Sequence, residues 1–131
     1  MDAVYRLVAT STAVAQTPDG WVAENLRDGV VTLVVDDGGL DAIDAAARAL
    51  DQVAVSVLRR EPGPEAQEDA IIAFAGTMPL VWVSAEFSRR TRTWARERGP
   101  MTLLVPASDA LPAAELARIA RFVTLLSRQT D

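Results

Sequence analysis

Six consecutive residues, Val30-Val31-Thr32-Leu33-Val34-Val35, run without polar alternation into Asp36-Asp37-Gly38-Gly39. A strand with one wet face alternates apolar and polar side chains. An unbroken β-branched run instead fits a strand buried on both faces, the situation in parallel sheets covered by helices. Leu40 to Asp51 then places Leu40, Ile43, Ala46, Ala47 and Leu50 on one helical face and Asp41, Asp44, Arg48 and Asp51 on the other. Val53 to Leu58 is a second apolar strand, stopped by Arg59-Arg60-Glu61-Pro62-Gly63-Pro64. Strand, amphipathic helix and strand form a βαβ unit.

The same pattern recurs. Glu65 to Ala75 begins after Pro64 with acids, as a helix start does, while Ile71-Ile72-Ala73-Phe74 would also serve as a strand; helix is the preferred reading, because a crossover is needed there. Leu80 to Val83 is a third strand. Ala85 to Arg98 is an arginine-rich helix stopped by Gly99-Pro100, Met101 to Val105 a fourth strand, and Pro112 to Arg128 a long terminal helix. The fold class predicted is α/β, with a small, mostly parallel four-stranded sheet and crossover helices. Before it, residues 4–27 alternate at Val4, Arg6, Val8, Thr10 and Thr12, and Thr17-Pro18-Asp19-Gly20 is a turn signal. This predicts an N-terminal hairpin. The alternative is a pair of N-terminal helices, since Thr17-Pro18 also suits a helix start. With 131 residues and no internal repeat or linker, residues 1–131 are expected to form a single α/β domain.

The residue inventory narrows the chemistry. The chain has no Cys and no His, and all 13 basic residues are arginine. Thiolate and imidazole catalysis, lysine Schiff bases and the phosphate loop that needs a lysine are therefore excluded. A formal net charge of −5 repels phosphate backbones, so no nucleic acid is expected as partner. No run of about 20 apolar residues occurs, and Met1 to Arg6 lacks the basic, then apolar, pattern of a signal peptide. The expectation is a cytoplasmic protein with no membrane partner and no cofactor.

In open parallel sheets ligands gather beyond the carboxyl ends of the strands. The residues there that could bind a ligand are Asp36, Asp37, Ser84, Glu86, Ser108 and Asp109. The acid pair could hold a hard cation through oxygen ligands, and the Gly-rich turn could meet an anion. The structural alternative has Asp37, Ser84 and Ser108 or Asp109 capping helices, and no metal site is expected. Val34-Val35-Asp36-Asp37 resembles the acid pair of response-regulator receiver domains. That likeness would imply a phospho-accepting Asp on a later strand and a late lysine. The later strand reads Ala54-Val55-Ser56-Val57-Leu58-Arg59 and the chain has no lysine, so a working receiver is excluded. From about residue 21 onward the element order is similar to STAS-type regulatory domains, whose phosphorylatable serine has no counterpart at Gly63-Pro64-Glu65-Ala66.

Two helices carry surface signals. Arg89, Arg90, Arg92, Arg96 and Arg98 stand against Glu86 and Glu97, so this helix could receive an acidic protein partner or a phosphorylated ligand. Phe87, Thr91 and Trp94 would be its buried stripe. The terminal helix buries Leu116, Ile119, Ala120, Val123 and Leu126, and Phe122 and Leu125 widen that arc. Phe122, Leu125 and Leu126 are thus the expected homodimer interface. The function predicted is a non-catalytic regulatory or protein-interaction module, dimeric because the wide arc needs a partner. The competing reading is a small-molecule-binding or metal-dependent enzyme using carboxylates at the sheet's carboxyl edge.

Overall fold

A computed structural model describes residues 4–50, 55–107 and 110–129. The chain order is β1 (Tyr5–Thr10), α1 (Ser11–Ala15), α2 (Trp21–Asn25), β2 (Gly29–Val34), α3 (Gly39–Leu50), β3 (Val55–Leu58) and α4 (Pro64–Ala75). There follow β4 (Leu80–Ser84), α5 (Arg89–Arg98), a single 3-10 turn at Gly99–Met101, β5 (Thr102–Pro106) and α6 (Ala113–Gln129). The five strands form one sheet in the order β3-β2-β1-β4-β5, and each neighbouring pair is parallel. The expected α/β class with a parallel sheet holds, with five strands in place of four.

Side-chain alternation on the strands feeds two cores. Tyr5, Leu7 and Ala9 of β1, with Val31, Leu33, Val81, Val83 and Val105, meet α1, α2, α3 and α6 on one face. Val8, Val34, Leu80 and Trp82 meet Ile71 and Ala75 of α4, Phe87, and Trp94 of α5 on the other. Trp82 is T-shaped to Phe87 and Trp94, with ring centroids 5.4 and 6.3 Å away, a geometry that aligns ring edges with the neighbouring π-face. Thr91 and Ala95 are buried on α5, so the predicted Phe87, Thr91 and Trp94 stripe does point inward. Among the described residues no helix is long and apolar enough to cross a membrane.

The predicted N-terminal hairpin is not formed. Tyr5–Thr10 is the central strand, parallel to β2 and to β4, and the Thr17-Pro18-Asp19-Gly20 turn joins two short helices. Arg6 and Thr10 gave the segment its apparent alternation, and both polar side chains have internal partners. The Arg6 guanidinium donates to the Phe74 carbonyl and lies 4.6 Å from the Phe74 ring centroid. It thereby brings positive charge to the carboxyl end of α4, where the helix dipole favours it. The Thr10 hydroxyl caps α1 by accepting from the Ala13 amide at 3.2 Å.

Helix α5 begins at Arg89, four residues later than expected, because Ser88 is its N-cap: the Thr91 amide donates to the Ser88 hydroxyl at 3.1 Å. On α6, Ile119 and Val123 are buried, and Phe122 and Leu126 pack partly buried against the same core. Leu125 alone of the three expected interface residues stands out, 52% exposed.

Candidate functional site

The strand order reverses between β1 and β4. β1 leads into α1 on one face of the sheet, and β4 leads toward α5 on the other, so the two connections part at the carboxyl edge. Doubly wound sheets bind their ligands at such a switch point. At this edge Asp36 is engaged with the chain itself. Asp36 accepts from the Thr12 amide at 3.3 Å and the Gly38 amide at 3.0 Å. Burial pushes its pKa up, but hydrogen bonds from Thr12, Gly38 and Thr10 outweigh this and hold the carboxyl below its ordinary value. The fit is close: a Cβ on Gly38 would stand 2.6 Å from Ala42 Cβ and 2.8 Å from Thr12 Oγ1.

The other predicted residues divide. Asp37 is exposed and forms an ion pair with Arg60 rather than capping α3. The Ser84 hydroxyl donates to the Glu86 carbonyl at 3.0 Å rather than capping α5, and Glu86 is exposed. Ser108 and Asp109 lie outside the described residues. Among the described residues no three carboxylates gather where they could hold a metal ion.

A residue the sequence reading passed over ties this edge together. Glu68 is 9% exposed on α4, on the same helical side as Ile71 and Ala75. Its carboxylate accepts from the Ser88 amide at 2.9 Å and the Ser88 hydroxyl at 2.6 Å. Burial raises its pKa, but Ser88, Thr91 and the Arg90 charge together hold it below the ordinary 4.5. The signal was an acid at i, i+3 and i+7 spacing with apolar partners. Beside it Arg90 pairs with Asp69 at 2.7 Å. A groove of about 530 Å³ opens between the start of α4 and the loop into α5, lined by Glu65, Glu68, Glu86, Phe87, Arg89 and Arg90 among others.

The arginines of α5 thus fall into two sets. Arg98 is half-buried: its guanidinium donates to Thr102 Oγ1 at 2.7 Å and to the Met78 carbonyl, and it lies 4.7 Å from the Trp94 ring centroid. Burial lowers its pKa. Arg90 is engaged with Asp69. Arg89, Arg92 and Arg96 are exposed, at i, i+3 and i+7, and among the described residues no carboxylate lies within ion-pair distance of them. Helix α5 carries five arginines and one glutamate, a net +4 in a chain of net −5, so the remainder of the chain carries −9.

The fold defines the class as a doubly wound parallel α/β protein. Compared with protein-family models, with curated proteins and with solved structures, the chain matches none.

Proposed function

We propose that the protein is a non-catalytic interaction module that receives an acidic segment of a partner protein on the outer face of α5. The observation that carries this reading is the stripe of Arg89, Arg92 and Arg96, exposed and without an internal carboxylate. Of its neighbours, Arg90 is taken by a surface ion pair with Asp69 and Arg98 by the Met78 carbonyl. A guanidinium presents a planar fork of donors that matches carboxylates two bonds at a time, so three on one stripe select for clustered acids. The inner side of the same helix is fixed by Trp94, Thr91 and the Ser88 cap, which gives the stripe a rigid support. The acidic remainder of the chain disfavours nucleic acid and leaves α5 as a local basic island. At the carboxyl edge, Asp36 and Ser84 serve internal hydrogen bonds, which supports a non-catalytic use of the scaffold.

The direct test is fluorescence anisotropy of a labelled polyglutamate peptide and of a labelled single-stranded DNA titrated with the native chain. Saturable, salt-sensitive binding of polyglutamate is expected, with weaker binding of DNA. DNA binding tighter than polyglutamate, or no binding of either, contradicts the reading.

A further inference from the structure

Among aspartate dipeptides, Asp-Gly is the most open to spontaneous isomerisation, because glycine has no side chain to shield its amide nitrogen or restrict its rotation. That nitrogen can close a five-membered ring on the aspartate Cγ. The chain contains three such pairs, Asp19-Gly20, Asp28-Gly29 and Asp37-Gly38. Ring closure places conditions on the fold. The carboxyl group must be free to turn, the amide must not be donating a hydrogen bond, and the peptide plane between them needs room to rotate.

Two of the pairs are guarded. The Gly29 amide, at the start of β2, donates to the Leu26 carbonyl at 3.3 Å, and the Asp28 carboxylate accepts from the Ser127 hydroxyl at 3.2 Å. A Cβ on Gly29 would stand 2.3 Å from Tyr5 Cε2, so the ring of Tyr5 blocks rotation there. The Gly38 amide donates to Asp36 Oδ1 at 3.0 Å, and Asp37 is tied to Arg60. Gly38 too is hemmed in, with Ala42 Cβ 2.6 Å from where its own Cβ would be.

Asp19-Gly20 meets every condition. The pair forms the middle of a turn between α1 and α2, closed by the Trp21 amide donating to the Pro18 carbonyl at 3.0 Å. Such a bond joins the first and fourth residues of a turn and does not use the amide of the third. Asp19 is exposed, and among the described residues its carboxylate has no hydrogen bond or ion pair and the Gly20 amide has no acceptor. The surroundings are open as well: beyond the chain neighbours of Gly20, a Cβ there would meet Glu24 Oε1 at 3.9 Å and nothing nearer.

We propose that Asp19 is a site of spontaneous covalent modification, converting to isoaspartate in the folded chain ahead of Asp28 and Asp37. The Gly20 nitrogen attacks Asp19 Cγ and forms the N–Cγ bond. The amide hydrogen and the carboxyl hydroxyl leave together as water, which gives a succinimide. Water then adds to one of the two ring carbonyls. Cleavage of the N–Cγ bond restores aspartate. Cleavage of the bond from nitrogen to the former main-chain carbonyl gives isoaspartate, whose main chain runs through Cβ and Cγ and whose free carboxylate is the old main-chain carbon. Nothing is oxidised or reduced, and the charge of the product equals that of the starting chain. The turn that carries Trp21 onto the core thereby gains one carbon in its main chain.

Peptide mapping with electron-transfer fragmentation, which separates isoaspartate from aspartate of equal mass, tests this after days at neutral pH. The native chain and Asp19→Glu are each incubated folded and in urea. In the folded native chain isoaspartate should build up at position 19 severalfold faster than at Asp28 or Asp37. In urea, where the fold guards none of the pairs, that lead should disappear. Asp19→Glu would have to close a six-membered ring, so position 19 should stay unmodified while Asp28 and Asp37 behave as in the native chain. Isoaspartate forming as fast at Asp28 or Asp37 in the folded chain overturns the proposal, as does its absence from position 19. A lead of Asp19 that persists unchanged in urea assigns the selectivity to local sequence and overturns it equally.

Discussion

The Glu68 carboxylate and Ser88 join the start of α4 to the start of α5 by two hydrogen bonds, 2.9 Å from the amide and 2.6 Å from the hydroxyl. Ser88 in turn caps α5 through the Thr91 amide. One buried acid therefore sets where the arginine helix begins and which way it leaves the sheet.

This bond pattern has a pH consequence. Glu68 and Asp36 both titrate below their ordinary values in the folded chain, 4.5 and 3.8 respectively. A depressed folded pKa contributes stability that is present above the unfolded pKa and is lost as pH falls through the folded one. The chain should therefore lose stability from about pH 4.5 downward, with these two groups among the causes. Glu68→Gln and Asp36→Asn should each lower stability at neutral pH and flatten the acid limb of a Tm-against-pH profile. An acid limb unchanged in both variants contradicts this assignment.

Tyr5 and Gly29 stand opposite one another in the β1–β2 register, and a Cβ on Gly29 would fall 2.3 Å from Tyr5 Cε2. Gly29→Ala should cost about 1–3 kcal/mol through overpacking, measured by urea unfolding. The Tyr5 hydroxyl is buried without a hydrogen-bond partner, and burial, with Asp28 nearby, raises its pKa. Because an unpartnered buried hydroxyl is a cost, Tyr5→Phe should leave stability unchanged or raise it by up to about 1 kcal/mol. A loss on that substitution would mean that the hydroxyl has a partner in solution.

Arginines on the same helix should respond differently to truncation. Arg98→Ala removes donors to Thr102 and Met78 and the stacking on Trp94, and should cost about 1.5–3 kcal/mol. Arg92→Ala removes no internal contact and should stay within about 0.5 kcal/mol. Equal losses in denaturant unfolding would dissolve the distinction between structural and free arginines.

Where the sequence was legible, burial and pattern agreed. Val30–Val34, with only the β-branched Thr32 among its apolar residues, and Leu80–Val83 fall in strands covered on both faces, as the parallel-sheet reading requires. The hairpin expectation fails at β1 because Arg6 interrupts its apolar run. A cation in the central strand looks like a solvent-facing position until the carboxyl end of α4, 68 residues away in sequence, supplies its acceptor. The same holds for Asp36, whose partner Thr12 is 24 residues distant. Position alone does not separate a ligand-binding acid from one holding a turn; the amides it accepts from do. The α6 arc looks like surplus in sequence because helical periodicity gives the width of an apolar face and not the depth of the groove that receives it. Phe122 and Leu126 found room on the core, and Leu125 did not.

The central claim is that α5 binds acids by position and not merely by charge. The most direct measurement compares polyglutamate affinity in two double variants of equal charge change: Arg92→Glu with Arg96→Glu on α5, and Arg121→Glu with Arg128→Glu on α6. Both pairs are exposed and each lowers net charge by the same amount. The α5 pair should weaken binding by at least about tenfold, equivalent to ~1.4 kcal/mol, while the α6 pair changes it little. Equal losses in the two variants would contradict a defined docking stripe.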